Sequence, residues 1–489
     1  MKSSLKRFLA LMCIIAVGMT ATACRKNPKT DGDSGSVEII WEDEEKGNAS
    51  DGESSAVSGN DSNISSSSSK KTPTGNNNNS SGTTGNDKQA DGQSSGNLAE
   101  KYKGTTVTFA TWEKLDAIDA TKVVNDFQKK YGIKVKIMEV PQADYIKTVT
   151  GKIASGEAPD IVFDNGEFPA SLALLQPITA ADTINLSDSI WDKDFLNLVT
   201  FNGNVYEVST VSGIMSEGRV FYYNKTLLKN AGCPMPADLY AKGQWNWDAL
   251  ESIAKKYVAY AGKGNYGIQI NDTQDWLGTI GTGFYVWDNN SHKVTNGMNS
   301  DIFLPALTKM TQWIKDGIGT QAATAFINRK AAMMINGAWG LKKNGAFSEM
   351  SNQNEIGFTF VPDYDASHKS KYASGIRGWG ISKGAKNPGG AGLFLRYYLD
   401  TNNYDTGSIF LNSEAQSFFF KLTGSSKSEM YIDCVRGVTK MTGEDEYYTY
   451  RTFIANTDPN QVASKASSLK NVVDAGVTKA NNEIAKTVK

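Results

Sequence analysis

Strand and helix patterns alternate at the start of the folded part of the chain, and this order restricts the fold more than any other feature of the sequence. Val107 to Ala110 is a short apolar run, and apolar residues at helical spacing follow from Ala120 to Tyr131. Alternating apolar residues from Ile133 to Ile137 predict a second strand. Helical spacing returns from Tyr145 to Ile153, and Ile161 to Phe163 is a compact apolar strand. Strand, helix, strand, helix, strand is typical of a mostly parallel sheet with helices on its faces.

The globular region is too long for one ordinary domain, because it begins near Tyr102 and continues to Lys489. A second series of elements follows the first. Val220 to Tyr223 predicts a strand, and Lys225 to Ala231 predicts a short helix that ends at Gly232. We therefore expect an α/β protein with two lobes.

A polar tract precedes this region. From Glu42 to Lys101 there is no aromatic residue, and the tract contains the runs Ser65 to Ser69 and Asn76 to Asn79. Such a segment has too little apolar surface to offset the entropy of ordering it. We expect a disordered linker that acts as a spacer.

The N-terminus has the pattern of an export signal. A basic stretch at residues 2–7 precedes an apolar run from Phe8 to Met19, which is too short to span a bilayer. Ala21-Thr22-Ala23-Cys24 then resembles a lipobox, and the less favoured alternative is an ordinary signal peptide with an incidental cysteine. We expect residues 1–23 to be a lipoprotein signal peptide and residues 24–100 to be a lipidated Cys24 with its linker. The protein would then be anchored to the outer face of a cell membrane, in an arrangement suited to a Gram-positive cell.

Charge and cysteine content restrict the partners. The formal net charge is -1, so the chain does not have the excess of basic residues that is typical of nucleic-acid-binding proteins. Cys233 and Cys434 could form a disulfide outside the cell, and two separate buried thiols are equally compatible with the sequence.

Several stretches, taken in order, resemble one protein family. Gly151 to Phe163 contains Gly-Glu-Ala-Pro-Asp and ends in the apolar strand; the later stretches are Phe221 to Leu228, Trp247 to Leu250, Phe326 to Trp339, Gly357 to Pro362 and Gly375 to Ser382. Together they resemble the family 1 extracellular solute-binding proteins, the group that contains maltose-binding protein. The region after Asp400 matches that family only loosely.

This resemblance implies a two-lobed periplasmic-binding-protein-like fold whose hinged lobes close on a ligand. It also implies a monomer without a cofactor that delivers a small solute, a mono- or oligosaccharide above all, to the permease subunits of an ABC importer. Crossovers between the lobes are expected near Val211, Trp379 and Met430. The expected lobes are residues 101–211 with 380–430, and residues 212–379 with 431–489.

A sugar site needs flat aromatic rings and planar polar groups. Ligands bind beyond the carboxyl ends of parallel strands. In the first lobe, the candidates that follow such ends are Trp112, Glu113, Asp164, Asn165 and Glu167.

The second lobe and the expected hinge supply further candidates. Trp339 matches a stacking position in the family's Gly-x-Trp ending, and the other candidates are Asp275, Trp276, Arg377 and Trp379. Some of these residues have alternatives: core positions for Trp112, Trp276 and Trp379, and solvated surface carboxylates for Glu113, Glu167 and Asp275.

Enzyme motifs are missing from the sequence. There is no phosphate-binding Gly-x-x-x-x-Gly-Lys-Ser/Thr loop and no His-Glu-x-x-His. Gly92 to Gly96 spells Gly-x-Ser-x-Gly, but it lies in the polar tract without a strand or helix beside it. We expect a binding protein without catalysis or metal. The alternatives are a ligand-sensing subunit for a membrane signalling system and a surface glycan-docking protein.

Overall fold

The computed structural model describes residues 98–115, 120–211, 218–405, 409–423, 430–442 and 447–488. The predictions for the signal peptide, Cys24 and the polar linker lie outside these residues, apart from the last few residues of the linker.

The strands and helices are numbered in chain order. The strands are β1 (Thr106–Thr111), β2 (Lys134–Glu139), β3 (Ile161–Asn165), β4 (Leu175–Gln176), β5 (Thr200–Phe201), β6 (Asn204–Val205), β7 (Glu207–Val208), β8 (Arg219–Asn224), β9 (Tyr266–Gln269), β10 (Tyr285–Asp288), β11 (Lys293–Asn296), β12 (Gly319–Thr320), β13 (Ala331–Gly337), β14 (Ile356–Thr359), β15 (Tyr372–Ser374), β16 (Arg377–Ser382) and β17 (Met430–Ile432). The main α-helices are α1 (Thr121–Tyr131), α2 (Tyr145–Ala154), α3 (Lys193–Leu198), α4 (Lys225–Asn230), α5 (Pro236–Ala241), α6 (Trp247–Ala261), α7 (Thr273–Gly278), α8 (Phe303–Lys315), α9 (Pro388–Tyr398), α10 (Ser413–Thr423), α11 (Val435–Thr442), α12 (Tyr447–Arg451) and α13 (Val462–Thr487).

The first lobe is built on a sheet of order β2-β1-β3-β16-β4, with β7 also paired to β16. Strands β1, β2 and β3 are parallel, as their alternation with α1 and α2 predicted, whereas β16 runs antiparallel to β3. On one face, Phe109 of β1 packs against Phe394 and Tyr398 of α9. Helix α9 begins as predicted, because the Asn387 side chain accepts a hydrogen bond from the Gly390 backbone N–H.

The second lobe has a sheet of order β12-β9-β13-β8-β14. Helix α6 packs against it, and the Asn246 side chain caps this helix by accepting from the Ala249 backbone N–H. Trp247 of α6 lies against Trp313 of α8 and Trp276 of α7, with ring centroids 5.0 and 5.8 Å apart. These three buried indoles form the centre of the second-lobe core.

Strands β15 and β17 pair in parallel as a two-stranded ribbon where the chain passes between the lobes. The crossover predicted near Met430 falls at the start of β17 and stays a prediction. The crossover expected near Trp379 lies earlier, because Trp379 is inside β16, opposite Phe163 of the first sheet. Its indole is 3% exposed and belongs to the first-lobe core.

The expected assignment of residues 380–430 to the first lobe is also corrected. Helix α9 belongs there, but Phe410 and Phe419 join the second-lobe core around Tyr222 and Phe347. The Leu411 backbone N–H donates to Leu341 O at 2.8 Å, which joins this segment to the second lobe. Apolar side chains of α10 therefore cover a face of the second lobe that the sequence left unassigned.

The C-terminal helices contact both lobes. The Asn481 side chain of α13 exchanges two hydrogen bonds of 2.9 Å with the Val294 backbone of β11, and the Asn202 side chain donates to Val488 O. In the first lobe, the Phe168 ring packs edge-on against Trp287 of β10, with centroids 4.7 Å apart. The two lobes therefore share an apolar contact beside the ribbon.

Cys233 and Cys434 are both buried free thiols. Burial raises the pKa of each thiol. The structure thus has two separate thiols rather than a disulfide, which was one of the two alternatives left open.

The close approach of α11 to the first lobe gives a test. A Cβ added at Gly437 would lie 2.1 Å from Phe168 O, a backbone atom that cannot move aside cheaply. We expect Gly437→Ala to lower the free energy of unfolding by about 1–3 kcal/mol, as overpacking does. Chemical denaturation measures this change.

Gly151→Ala is the matched control, because Gly151 also lies in a helix but has open space around its Cα. This substitution should leave stability unchanged or raise it by up to about 1 kcal/mol. Equal stability of the wild type and Gly437→Ala would show that α11 does not pack as described.

Candidate functional site

A cavity of about 620 Å³ lies between the two lobes, beside the ribbon. We call this cavity the cleft. Its walls come from residues that follow β1, from the end of β3, from the start of β16, and, in the second lobe, from the start of β8 and the end of β13. The cleft thus lies beyond the carboxyl ends of the parallel strands, as expected for an open α/β sheet.

The first-lobe wall combines an indole with a rigid ion pair. Trp112 is half-buried and packs on Phe163, with ring centroids 5.8 Å apart. Both Glu113 carboxylate oxygens accept from the Arg377 guanidinium, at 2.8 and 2.7 Å. The guanidinium lies over the rings of Phe163 and Trp379, 4.8 and 5.4 Å from their centroids. Such bidentate pairing and stacking hold a planar polar surface in one orientation.

The second-lobe wall carries the most accessible aromatic ring of the cleft. Trp339 lies in a short 3-10 turn, Ala338–Leu341, directly after β13, and it remains 38% exposed. Asn336, at the end of β13, lines the same wall. Asp275 of α7 pairs with Arg219 at the start of β8, with an N–O distance of 2.6 Å. This wall therefore offers a flat ring with amide and charged groups beside it.

Charged side chains from the C-terminal part of the chain also line the cleft, namely those of Asp433, Arg436 and Arg451. The Arg451 Nε lies 2.8 Å from an oxygen of Asp272. Desolvation and the neighbouring Asp275 raise the pKa of Asp272 to about 7, even though Arg451 opposes the shift. Desolvation likewise raises the pKa of Asp433 to about 6. Among the described residues, no group of three His, Cys, Asp or Glu side chains is placed to hold a metal ion.

The structure brings together six of the candidates predicted from the sequence. They line the cleft and are Trp112, Glu113, Asn165, Asp275, Trp339 and Arg377.

Four other candidates do not line the cleft. For three of them, the direction in which the side chain points explains why. Asp164 precedes Asn165 in β3, and successive side chains in a strand point to opposite faces, so Asp164 enters the first-lobe interior. Trp276 follows Asp275 on α7 and turns into the indole core. Trp379 lies beneath Arg377 in the first-lobe core.

Glu167, the fourth, is buried beside α11 rather than open to the cleft. Its carboxylate pairs with Lys440 at 2.5 Å and with Arg436 at 3.5 Å. These contacts give Glu167 a role in fastening α11 to the first lobe.

Sequence reasoning missed several lining residues. Arg219 is at the start of β8, and Asn336 is near the end of β13. Because these neighbouring strands are antiparallel, the two residues lie at the same edge of the sheet, beside the cleft. The cleft also contains Asp433, Arg436 and Arg451, from the region whose resemblance to the family is loose, and no motif marked them.

Asp164, which is buried rather than open to the cleft, forms a buried acid pair with Glu207. Desolvation raises the pKa of Asp164 to about 7 and moves that of Glu207 well above its usual range. Ser171 Oγ donates to Glu207 at 3.3 Å, and the buried Tyr145 hydroxyl lies nearby. The two carboxyl groups therefore lie together in the first-lobe interior, where burial disfavours their charged forms.

This pair predicts how stability changes with pH. Because the folded-state pKa of Asp164 is raised, its contribution is fully present below the unfolded value and is lost as pH rises towards 8. In Asp164→Asn, no charge forms on this side chain at high pH. We expect the fall in unfolding free energy between pH 5 and pH 8 to shrink by an amount on the order of 2 kcal/mol, measured by urea denaturation.

Glu349→Gln, a substitution of an exposed carboxylate, is the control and should leave the pH profile unchanged. A profile for Asp164→Asn that coincides with the wild type would contradict the assignment.

The fold and the cleft define a class: two α/β lobes that enclose a polar and aromatic cavity between them, as solute-binding proteins do. Residues 110–403 match the family described as bacterial extracellular solute-binding protein. The chain belongs to this family. None of the helices in the described residues combines the length and apolar character needed to cross a bilayer.

One relative is the multiple sugar-binding protein of Streptococcus mutans, which is 25% identical over 328 residues. The match covers 61% of this chain and 72% of that protein.

Solved structures show the same fold. An ABC substrate-binding protein of Listeria monocytogenes, in complex with cycloalternan, has a TM-score of 0.56 at 19% sequence identity. The match covers 76% of this chain and 99% of the Listeria protein. The GacH receptor of Streptomyces glaucescens has a TM-score of 0.53 at 16% sequence identity, and the match covers 78% of this chain and 98% of the receptor. An extracellular solute-binding protein of Staphylococcus aureus, in complex with maltose, has a TM-score of 0.51 at 18% sequence identity, and the match again covers 78% of this chain and 98% of the other. The predicted family and two-lobed fold are confirmed.

Proposed function

We propose that the cleft binds a mono- or oligosaccharide and that the protein delivers it to the permease of an ABC importer. The observation that carries this proposal is the accessible Trp339 ring, which shares one cavity with Trp112 and with the Arg377–Glu113 pair. Sugar rings stack on such aromatic faces, and their hydroxyls pair with planar polar groups. The name of the Streptococcus mutans relative agrees with a sugar ligand.

The dimensions of the cleft agree with a small ligand. A volume of about 620 Å³ lies within the usual range of small-molecule pockets. Both lobes supply walls, so closing the lobes on a ligand would remove it from water. We propose that this closed form is the one the permease recognises, with the ligand released unchanged.

Trp339→Ala tests the assignment of the site. A screen of mono- and oligosaccharides by thermal shift identifies a ligand that stabilises the wild-type protein. For that ligand, we expect Trp339→Ala to weaken binding at least tenfold in calorimetry, because the stacking surface is lost. The free energy of unfolding should change little, since the ring is partly solvent-exposed.

Tyr260→Ala is the matched control, because Tyr260 is 62% exposed and lies outside the cleft. Its affinity should equal that of the wild type. Full affinity in Trp339→Ala would exclude this wall as the binding surface. Chemical change of the sugar during incubation with the protein would favour an enzyme over a carrier.

We further propose that Cys24 is lipidated and holds the protein on the extracytoplasmic face of the cell membrane. The support is the signal-peptide pattern that ends in Ala21-Thr22-Ala23-Cys24. Cys24→Ala should move the protein from the membrane fraction to the medium and abolish incorporation of labelled palmitate. Cys233→Ala, which removes a buried thiol, should leave both unchanged. Incorporation of label into Cys24→Ala would contradict lipidation at this residue.

A further inference from the structure

Asn-Gly dipeptides are sites at which a protein readily modifies itself without an enzyme, because glycine has no side chain to shield its backbone nitrogen. The sequence contains five of them, and they begin at Asn165, Asn202, Asn296, Asn336 and Asn344. Asn165, Asn336 and Asn344 line the cleft. A modification at one of these three residues would therefore change the proposed ligand site itself.

Strand pairing protects the dipeptide that begins at Asn165. This residue is the last of β3, and the N–H of Gly166 donates to Ile376 O at 2.9 Å. Deamidation requires the backbone nitrogen of the glycine to approach the side-chain carbonyl carbon of the asparagine. A paired backbone cannot turn in this way without losing its hydrogen bonds.

At Asn336 the two groups are already close, because the Gly337 N–H donates to the Asn336 side-chain oxygen at 2.8 Å. This contact has the wrong direction for reaction, since it brings the hydrogen to the oxygen and not the nitrogen to the carbon. Asn336 also stands opposite Val220 of β8. Its backbone is therefore held in the extended conformation of β13.

Hydrogen bonds hold the side chains of the two dipeptides outside the cleft. The Asn202 side chain donates to Val488 O at 2.7 Å. The Asn296 side chain donates to Asp474 at 2.6 Å and accepts from the Met298 backbone N–H at 2.9 Å. Neither side chain can rotate towards its glycine without giving up these bonds.

Asn344 lies in a surface turn and has none of these restraints. Its side chain is exposed, and no residue in the described part of the chain hydrogen-bonds to it. The Gly345 N–H donates to Lys342 O at 3.1 Å, which closes the turn. A surface turn of this kind opens at low free energy, so the Gly345 nitrogen can reach the Asn344 side chain.

The reaction needs water alone. The Gly345 nitrogen gives up its proton to the solvent and attacks the side-chain carbonyl carbon of Asn344, and the side-chain nitrogen leaves as ammonia with a proton from water. Water then opens the cyclic succinimide. If the bond from nitrogen to the former side-chain carbonyl breaks, aspartate forms. If the bond to the main-chain carbonyl breaks, isoaspartate forms, and the main chain gains a carbon.

The turn packs directly on the backbone of the proposed stacking residue. A Cβ added at Gly345 would lie 2.0 Å from Trp339 O, so the two segments have no space between them. The longer main chain of isoaspartate must shift this turn against Trp339. Aspartate keeps the path of the chain but replaces a group that donates and accepts hydrogen bonds with a carboxylate that only accepts.

We propose that Asn344 is a site of spontaneous deamidation, and that its conversion to aspartate and isoaspartate lowers the affinity of the cleft for its ligand. The modification depends on the turn, whereas its effect on affinity rests on the proposed sugar-binding function.

Peptide mapping by mass spectrometry after incubation of the purified full chain in mildly alkaline water enriched in oxygen-18 tests the modification. Cleavage by trypsin after Lys342 and Lys343 puts Asn336 and Asn344 in different peptides, and fragmentation locates the label. We expect Asn344 to convert about fivefold faster than any of the other four asparagines, because its turn opens most readily. The other four are controls within the same molecule.

A parallel incubation in concentrated urea shows whether the fold is responsible. All five dipeptides should convert at similar rates there, since the restraints are lost. If Asn202 or Asn296 converts as fast as Asn344 in the folded protein, or if Asn344 stays unmodified, the proposed site is wrong.

Calorimetry with the sugar identified by thermal shift tests the effect on binding. We expect converted protein to bind about tenfold more weakly than fresh protein, as loss of a stacking or hydrogen-bonding contact does. Asn344→Gln keeps a carboxamide but must close a larger ring, so its affinity should stay constant through the same incubation.

The outcomes separate this inference from the proposed function. If converted wild-type protein binds as tightly as fresh protein, the effect on the ligand site is wrong and sugar binding stands. If no sugar binds even fresh protein, the sugar-binding function is overturned, and the rate of conversion at Asn344 still decides the modification.

Discussion

The antiparallel pairing of β16 with β3 is the contact on which the two-lobed arrangement depends. These strands are more than two hundred residues apart in the chain, and their pairing returns the polypeptide to the first sheet after its passage through the second lobe. Backbone hydrogen bonds of a strand must be satisfied, so β16 completes a sheet that would otherwise end at β3. The register also sets the site. Arg377 stands opposite Asn165 at the cleft edge, whereas Trp379 stands opposite Phe163 in the core.

The cleft is a polar surface supported by packed aromatic rings. Arg377 lies over Phe163 and Trp379, and the carboxylate of Glu113 holds it in place from the other side. This arrangement fixes hydrogen-bonding groups before a ligand arrives, which reduces the entropy lost on binding. The same logic applies across the cleft, where Asp275 orients Arg219. The polar groups that we propose as ligand contacts are thus oriented by interactions that belong to the fold.

Much of the fold was predictable because local patterns and tertiary packing agree. The β1-α1-β2-α2-β3 order followed from apolar spacing, and the caps Asn246 and Asn387 marked the starts of α6 and α9 correctly. The lobe boundaries were less predictable. The segment around α10 has an apolar face whichever lobe it covers, so its assignment to the second lobe required the contacts of Phe410 and Phe419. The local pattern shows that a face is buried, but it does not show against what.

The sequence by itself determined the class of protein, the alternation of elements and the position of Trp339 after a strand. It also marked Trp112 and Glu113 at the end of β1, because strand ends can be recognised from short-range patterns. Only the tertiary structure decided which of two adjacent residues enters the cleft: Asn165 rather than Asp164, and Asp275 rather than Trp276. A shift of one residue reverses the direction of a side chain in a strand and turns it by about 100° in a helix, so small register differences decide the site.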